Sequence, residues 1–126
     1  MIFAAIIGLA IGVVAGIYCP YSIPPEYARP LAVAVMAGLD AVLGGIRASM
    51  ASNYDTEVFI SGFFINGILA AFLCYAGNMI GIDLYMVAIL IFGMRIFQNI
   101  GVIRRLYMEN KFFRLAGKMA YDVEEY

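Results

Sequence analysis

The sequence predicts an all-α integral membrane protein with four transmembrane helices and a C-terminal amphipathic helix. Three observations carry this. The 126-residue chain is 64% hydrophobic and only 13% charged, about half the charge of a soluble domain. Its apolar residues fall into four runs separated by short polar or proline-rich breaks. The last run spans twenty residues, Leu84 to Ile103, and stops at Arg104 and Arg105. At about 1.5 Å per residue it is roughly 30 Å long, the thickness of a hydrocarbon core.

The first run, residues 1–18, contains no charged side chain. A signal peptide would begin with a basic stretch, so the run reads as an uncleaved, somewhat short span. Gly8, Gly12 and Gly16 recur every four residues, with Ala4 in phase. Such a ridge of small residues lets another helix backbone come close. It fits either the seam of a dimer or packing within one bundle. Residues 19–30 hold Pro20, Pro24, Pro25 and Pro30 and break the helix, with Tyr18, Tyr21 and Tyr27 as interfacial anchors. Pro24 or Pro25 suits a first helical turn, with Ser22 as its cap.

The second span, residues 31–46, is rich in Ala and Gly, contains Asp40 and ends at Arg47. A loop over residues 48–57 follows, where Asp55 or Thr56 is placed to cap the third span, residues 58–80. That span carries Asn66. A tight turn at residues 81–83 leads to the fourth. The domain division is therefore 1–105, the transmembrane bundle, and 106–126, a cytoplasmic tail. In the tail Leu106, Phe112, Phe113, Leu115, Ala116 and Met119 roughly follow helical spacing, with Lys111, Arg114 and Lys118 between them. This predicts a basic amphipathic helix on the inner leaflet, with a frayed acidic end at residues 122–126.

Five cations, Arg104, Arg105, Lys111, Arg114 and Lys118, follow the fourth span. The positive-inside rule then puts the C-terminus in the cytoplasm, and four spans put the N-terminus there too. This orientation sets depths. Asp40 lies seven residues before Arg47, Arg95 nine before Arg104, and Asn66 eight after Val58. All three fall roughly 10–13 Å from the cytoplasmic face. An isolated arginine near mid-membrane costs on the order of 3 kcal/mol, so Arg95 calls for a partner. Asp40, the acidic group at its depth, is the expected partner, with Asn66 and Asn99 filling the remaining hydrogen bonds. The expected polar cluster is Asp40, Arg47, Asn66, Arg95, Gln98 and Asn99, with Gln98 and Asn99 on the Arg95 face. It serves either as a pocket open to the cytoplasm or as interhelical glue.

The chemistry excluded is as telling. No histidine is present and the two cysteines, Cys19 and Cys74, form no metal site. No phosphate loop, activated nucleophile or carboxylate pair at one depth is present. No catalytic residue, metal or cofactor is expected. A net charge of −1 argues against nucleic acid. The expected partners are the lipid bilayer and either a second copy or other membrane proteins.

Several blocks look familiar as a set. They are Leu39-Asp40-Ala41-Val42-Leu43-Gly44-Gly45-Ile46-Arg47-Ala48, Phe59-Ile60-Ser61-Gly62-Phe63-Phe64-Ile65-Asn66, Gly81-Ile82-Asp83-Leu84-Tyr85, and Phe92-Gly93-Met94-Arg95-Ile96-Phe97-Gln98-Asn99 with Ile103-Arg104-Arg105. Together, over about residues 1–105, they resemble the small basic protein family of Gram-positive bacteria and relatives. The resemblance implies a short multi-pass protein of the bacterial plasma membrane, of unknown molecular activity. The genes of that family tend to lie among cell-division and envelope genes, which implies a role near division. This chain is not basic. Residues 1–105 hold five basic side chains (Arg29, Arg47, Arg95, Arg104, Arg105) and five acidic ones (Glu26, Asp40, Asp55, Glu57, Asp83). Two functional classes follow: a non-catalytic scaffold or accessory protein, or a small oligomeric transporter or channel. Gly44-Gly45-Ile46-Arg47 echoes dimeric fluoride channels weakly, in a different span. The carboxylate of small multidrug exporters is missing from the first span.

Overall fold

The computed structural model describes residues 2–124 and consists of four helices in chain order. They are α1 (Ile2–Ile17), α2 (Pro25–Met50), α3 (Thr56–Met79) and α4 (Leu84–Glu124). Among the described residues there is no strand. The second helix is the axis of the bundle. It packs along α3 on one side and α4 on the other, while α1 leans on α2 alone.

Small residues make this packing possible. Ala37, Gly38 and Gly45 are buried on α2, and a Cβ added at Gly38 would stand 3.3 Å from the Phe63 ring. On α3 the buried residues are Ala70, Cys74 and Gly77, spaced i, i+4, i+7 along one face. Val33, Ala37, Ala70, Cys74 and Phe92 form the apolar core, with Met36, Tyr85, Ala88 and Ile89 against it. Most other large apolar side chains are exposed, Phe97 at 78% and Ile68 at 68% among them. Apolar helices with a narrow buried seam and an apolar outer face are built for lipid rather than water.

Three helices, α2, α3 and α4, are long and apolar enough to cross a membrane. The first has 16 residues, about 24 Å, short of the roughly 20 residues a hydrocarbon core calls for. The expected count of four spans is therefore met in helices but only by three in length.

The helix ends follow local chemistry. Pro25 opens α2 after Pro24, and no side chain caps it, so Ser22 does not play the capping role expected of it. Pro30 lies inside the helix without ending it, early enough that its missing N–H removes one bond near the first turn. The Asp55 side chain accepts a hydrogen bond from Val58 N at 3.0 Å and caps α3. Both α2 and α3 end in the same double closure. After α2, Asn53 N donates to Ala48 O (2.8 Å) and Ser52 N to Ser49 O (3.2 Å). After α3, Ile82 N donates to Gly77 O (2.9 Å) and Gly81 N to Asn78 O (3.3 Å). This is the Schellman pattern, which requires a left-handed residue just past the helix. Gly81 fills that place at φ +77°, and Ser52 fills it at φ 59°.

The tail differs from expectation. Residues 106–124 are helical, but no break separates them from the span before them, and α4 runs 41 residues. No Pro or Gly stands between Gly101 and Gly117, and Arg105 pairs with Glu109 at 3.8 Å one turn on, so nothing stops the helix. Phe112 and Phe113 are exposed and, about 100° apart, fall in the same half of the helix, away from Lys111, Arg114 and Lys118. Of the acidic end, residues 125 and 126 lie outside the described residues, as does Met1.

Candidate functional site

The polar side chains of the bundle meet where α2 and α4 cross. Asp40 is 1% exposed. Its Oδ1 accepts a hydrogen bond from Asn99 Nδ2 at 3.3 Å. Its Oδ2 lies 3.0 Å from Arg95 Nη2, a contact of charge rather than an aligned hydrogen bond. Asn99, itself buried, accepts in turn from Arg47 Nη1 at 3.3 Å. The result is a chain, Arg95–Asp40–Asn99–Arg47, that alternates between α4 and α2 twice. Spacing explains it. Asp40 and Arg47 are two turns apart on one face of α2, and Arg95 and Asn99 one turn apart on α4.

Two polar cavities flank this chain. One of about 430 Å³ is lined by Arg47, Asn53, Arg95, Gln98 and Asn99 with small residues of α2 between them. The other, about 340 Å³, is lined by Asp40, Asn53, Tyr54, Asn66 and Arg95 among others. Arg95 belongs to both walls. The Tyr54 hydroxyl is buried without a hydrogen-bond partner, its ring tilted against Phe59 at 5.7 Å.

Of the residues expected in the cluster, Asp40, Arg47, Arg95 and Asn99 are joined directly. Gln98 lines the larger cavity. Asn66 faces the smaller one beside Arg95 and makes none of the side-chain hydrogen bonds that hold Asp40. Asn53 and Tyr54 belong to the loop before α3, a polar stretch with no periodic signal to mark them as part of the site. The glycine ridge lies elsewhere. A Cβ at Gly8, Gly12 or Gly16 would meet nothing within 4 Å, so the ridge supports no close packing within the chain. Gly8 and Gly12 instead line an open apolar groove of about 590 Å³ with Val35, Val42 and Phe63.

At the opposite end of the bundle Arg29 lies 3.4 Å from Asp83 and 5.6 Å above the Tyr85 ring, while Tyr27 stacks on Tyr75 at 6.4 Å. Both cysteines are free, Cys19 exposed and Cys74 buried. No group of described residues is arranged to hold a metal ion, and the cluster offers neither nucleophile nor proton-transfer pair.

Residues 23–108 match a family described as "Protein of unknown function (DUF1290)". The chain is 49% identical over 100 residues to the "Small basic protein" of Bacillus subtilis, covering 79% of this chain and 83% of that one. It is 37% identical over 102 residues to uncharacterized proteins of Mycobacterium bovis and Mycobacterium tuberculosis, covering 79% of this chain and 84% of each. No solved structure matches.

Proposed function

Because the chain belongs to the DUF1290 family, whose description assigns no activity, we propose from the geometry that it is a non-catalytic multi-pass membrane accessory protein, a scaffold that positions a partner. The observation that carries this reading is the free half of α4. Asp40 holds Arg95 and Asn99 together and so fixes α4 against α2. Beyond Leu106 the same helix continues with its side chains exposed on every face through Val123. A rod anchored at one end and bare at the other is suited to docking. The gene setting implied by the family resemblance makes cell-division or envelope-assembly proteins the partner class, with self-association as the other route.

The accompanying topology is a bacterial plasma-membrane protein with both termini cytoplasmic and α1 as a short fourth span. Support comes from the five cations after Ile103 and from Asp83–Arg29 pairing at the other end. Reporter fusions at the C-terminus and in the turn at residues 81–83 test it. A reporter active outside when fused to the C-terminus overturns it.

A second reading is a small transporter or channel. One observation favours it: the cavity of about 340 Å³ that reaches Asp40, Asn66 and Arg95. Reconstituted liposomes assayed for halide, proton and cation flux separate the two. The scaffold reading expects flux no greater than in empty liposomes. Flux that disappears in Arg95→Gln refutes it.

A further inference from the structure

The larger polar cavity, between the last turns of α2 and the middle of α4, has an uneven charge. Two guanidinium groups, Arg47 and Arg95, line it with Asn53, Gln98 and Asn99, and no carboxylate does. Arg95 is offset by Asp40 behind the wall, at 3.0 Å. Arg47 is not offset. Its partner is the neutral Asn99 Oδ1 at 3.3 Å, and it pairs with no carboxylate among the described residues. The wall thus carries one surplus positive charge, together with amide donors on Asn53 and Gln98.

We propose that this cavity binds a phosphate-class oxyanion, with Arg47 as its principal ligand and Gln98 as a second donor. A guanidinium presents planar paired N–H groups that fit such an anion. The C-terminal carbonyls of α2 would ordinarily repel an anion nearby. Here those of Arg47, Ala48 and Ser49 are occupied by the N–H groups of Ala51, Asn53 and Ser52, which removes much of that objection. The same chemistry has two sources. One is free phosphate. The other is the headgroup of an anionic phospholipid, since a basic pocket between spans at the membrane's edge suits one. Arg105 lies two turns beyond Gln98 on the same face of α4, where it pairs with Glu109. The proposal goes beyond the scaffold reading and stands or falls without it.

The test uses the full-length chain in neutral detergent, with thermal unfolding followed by circular dichroism. Inorganic phosphate is titrated in one arm. Micelles doped with phosphatidylglycerol or, separately, phosphatidylcholine form the other. Wild type is expected to be stabilised by phosphate, by phosphatidylglycerol, or by both, and not by phosphatidylcholine. A phosphate response identifies a free oxyanion site, and a response to phosphatidylglycerol alone identifies a lipid headgroup site. Arg47→Gln should weaken the response at least about tenfold in ligand concentration, the scale of one lost charge-assisted bond. Gln98→Leu at an exposed position should weaken it less, and it remains informative if Arg47→Gln does not fold. Arg104→Gln, nine residues from Arg95 and so on the opposite face of α4, should respond as wild type does. The proposal is overturned if neither probe stabilises wild type, if the variant that folds responds as wild type does, or if Arg104→Gln loses the response equally.

Discussion

Arg95 Nη2 lies 3.0 Å from Asp40 Oδ2, yet the two side chains are hidden to very different degrees, 53% exposed for the arginine and 1% for the aspartate. The pair is therefore asymmetric. Removing Arg95 strands a buried carboxylate, whereas removing Asp40 frees an arginine long enough to turn its head towards the polar cavities. Arg95→Gln should cost about 3–5 kcal/mol. Asp40→Asn, which keeps an acceptor for Asn99, should cost only about 1–3 kcal/mol. Thermal unfolding in detergent measures both. The double variant Asp40→Arg with Arg95→Asp should recover part of the larger loss. Equal stability of Arg95→Gln and wild type would mean that the pair contributes nothing. If the swap is stable and also restores function to cells lacking the protein, the pair acts as glue rather than as a specific pocket.

Gly77 is closely approached by the turn that follows α3. A Cβ there would stand 2.8 Å from both Ile82 O and Leu84 Cγ. The leucine can rotate away, but the carbonyl belongs to the turn. Gly77→Ala should destabilise by about 1–3 kcal/mol. Gly62→Ala on the same helix, where nothing lies within 4 Å, should be neutral or slightly stabilising. Similar unfolding midpoints for the two variants would refute the close approach.

Ser52 and Gly81 occupy equivalent places after α2 and α3, both in the left-handed region. An L side chain there costs about 1–2 kcal/mol, part of which glycine returns through its looser unfolded chain. Ser52→Gly should thus raise stability by about 0.5–1 kcal/mol, and Gly81→Ala should lower it by about 1 kcal/mol. A lower midpoint for Ser52→Gly would show that the serine hydroxyl has a role the backbone does not reveal.

The glycine ridge of α1 has open space beside it, which suits a second copy. Gly12→Leu should leave the protein inserted in the membrane and abolish crosslinked dimers in detergent. Dimers in wild-type amount would assign the groove beside Gly8 and Gly12 to lipid.

Much of this architecture was legible in the residues. Depth counting puts Asp40, Asn66 and Arg95 in one layer, because helical rise is fixed and three span ends, at Arg47, Val58 and Arg104, supply the origins. The structure brings two of these residues, Asp40 and Arg95, into contact. Depth cannot say which face a residue presents to which neighbour, so it could not separate Asn99, which bonds Asp40, from Asn66, which only lines the adjoining cavity. Ser52 escaped notice because its role depends on a backbone angle that serine does not advertise, whereas Gly81 does. The separate tail helix was an over-reading. Arg104 and Arg105 end the apolar run, but a change of polarity is not a helix breaker, and the bonds of α4 continue through it.

The length of α4 has a metrical consequence. From Arg95, tied to Asp40, to Lys118 is 23 residues along one axis, roughly 35 Å at helical rise. Lys118 and its neighbours are thereby held at a set distance and a set rotation from the polar layer. Each inserted or deleted residue between Glu109 and Lys118 would turn the far end by about 100° and move it by about 1.5 Å. The C-terminal segment behaves as a graduated arm whose reading is fixed at Asp40.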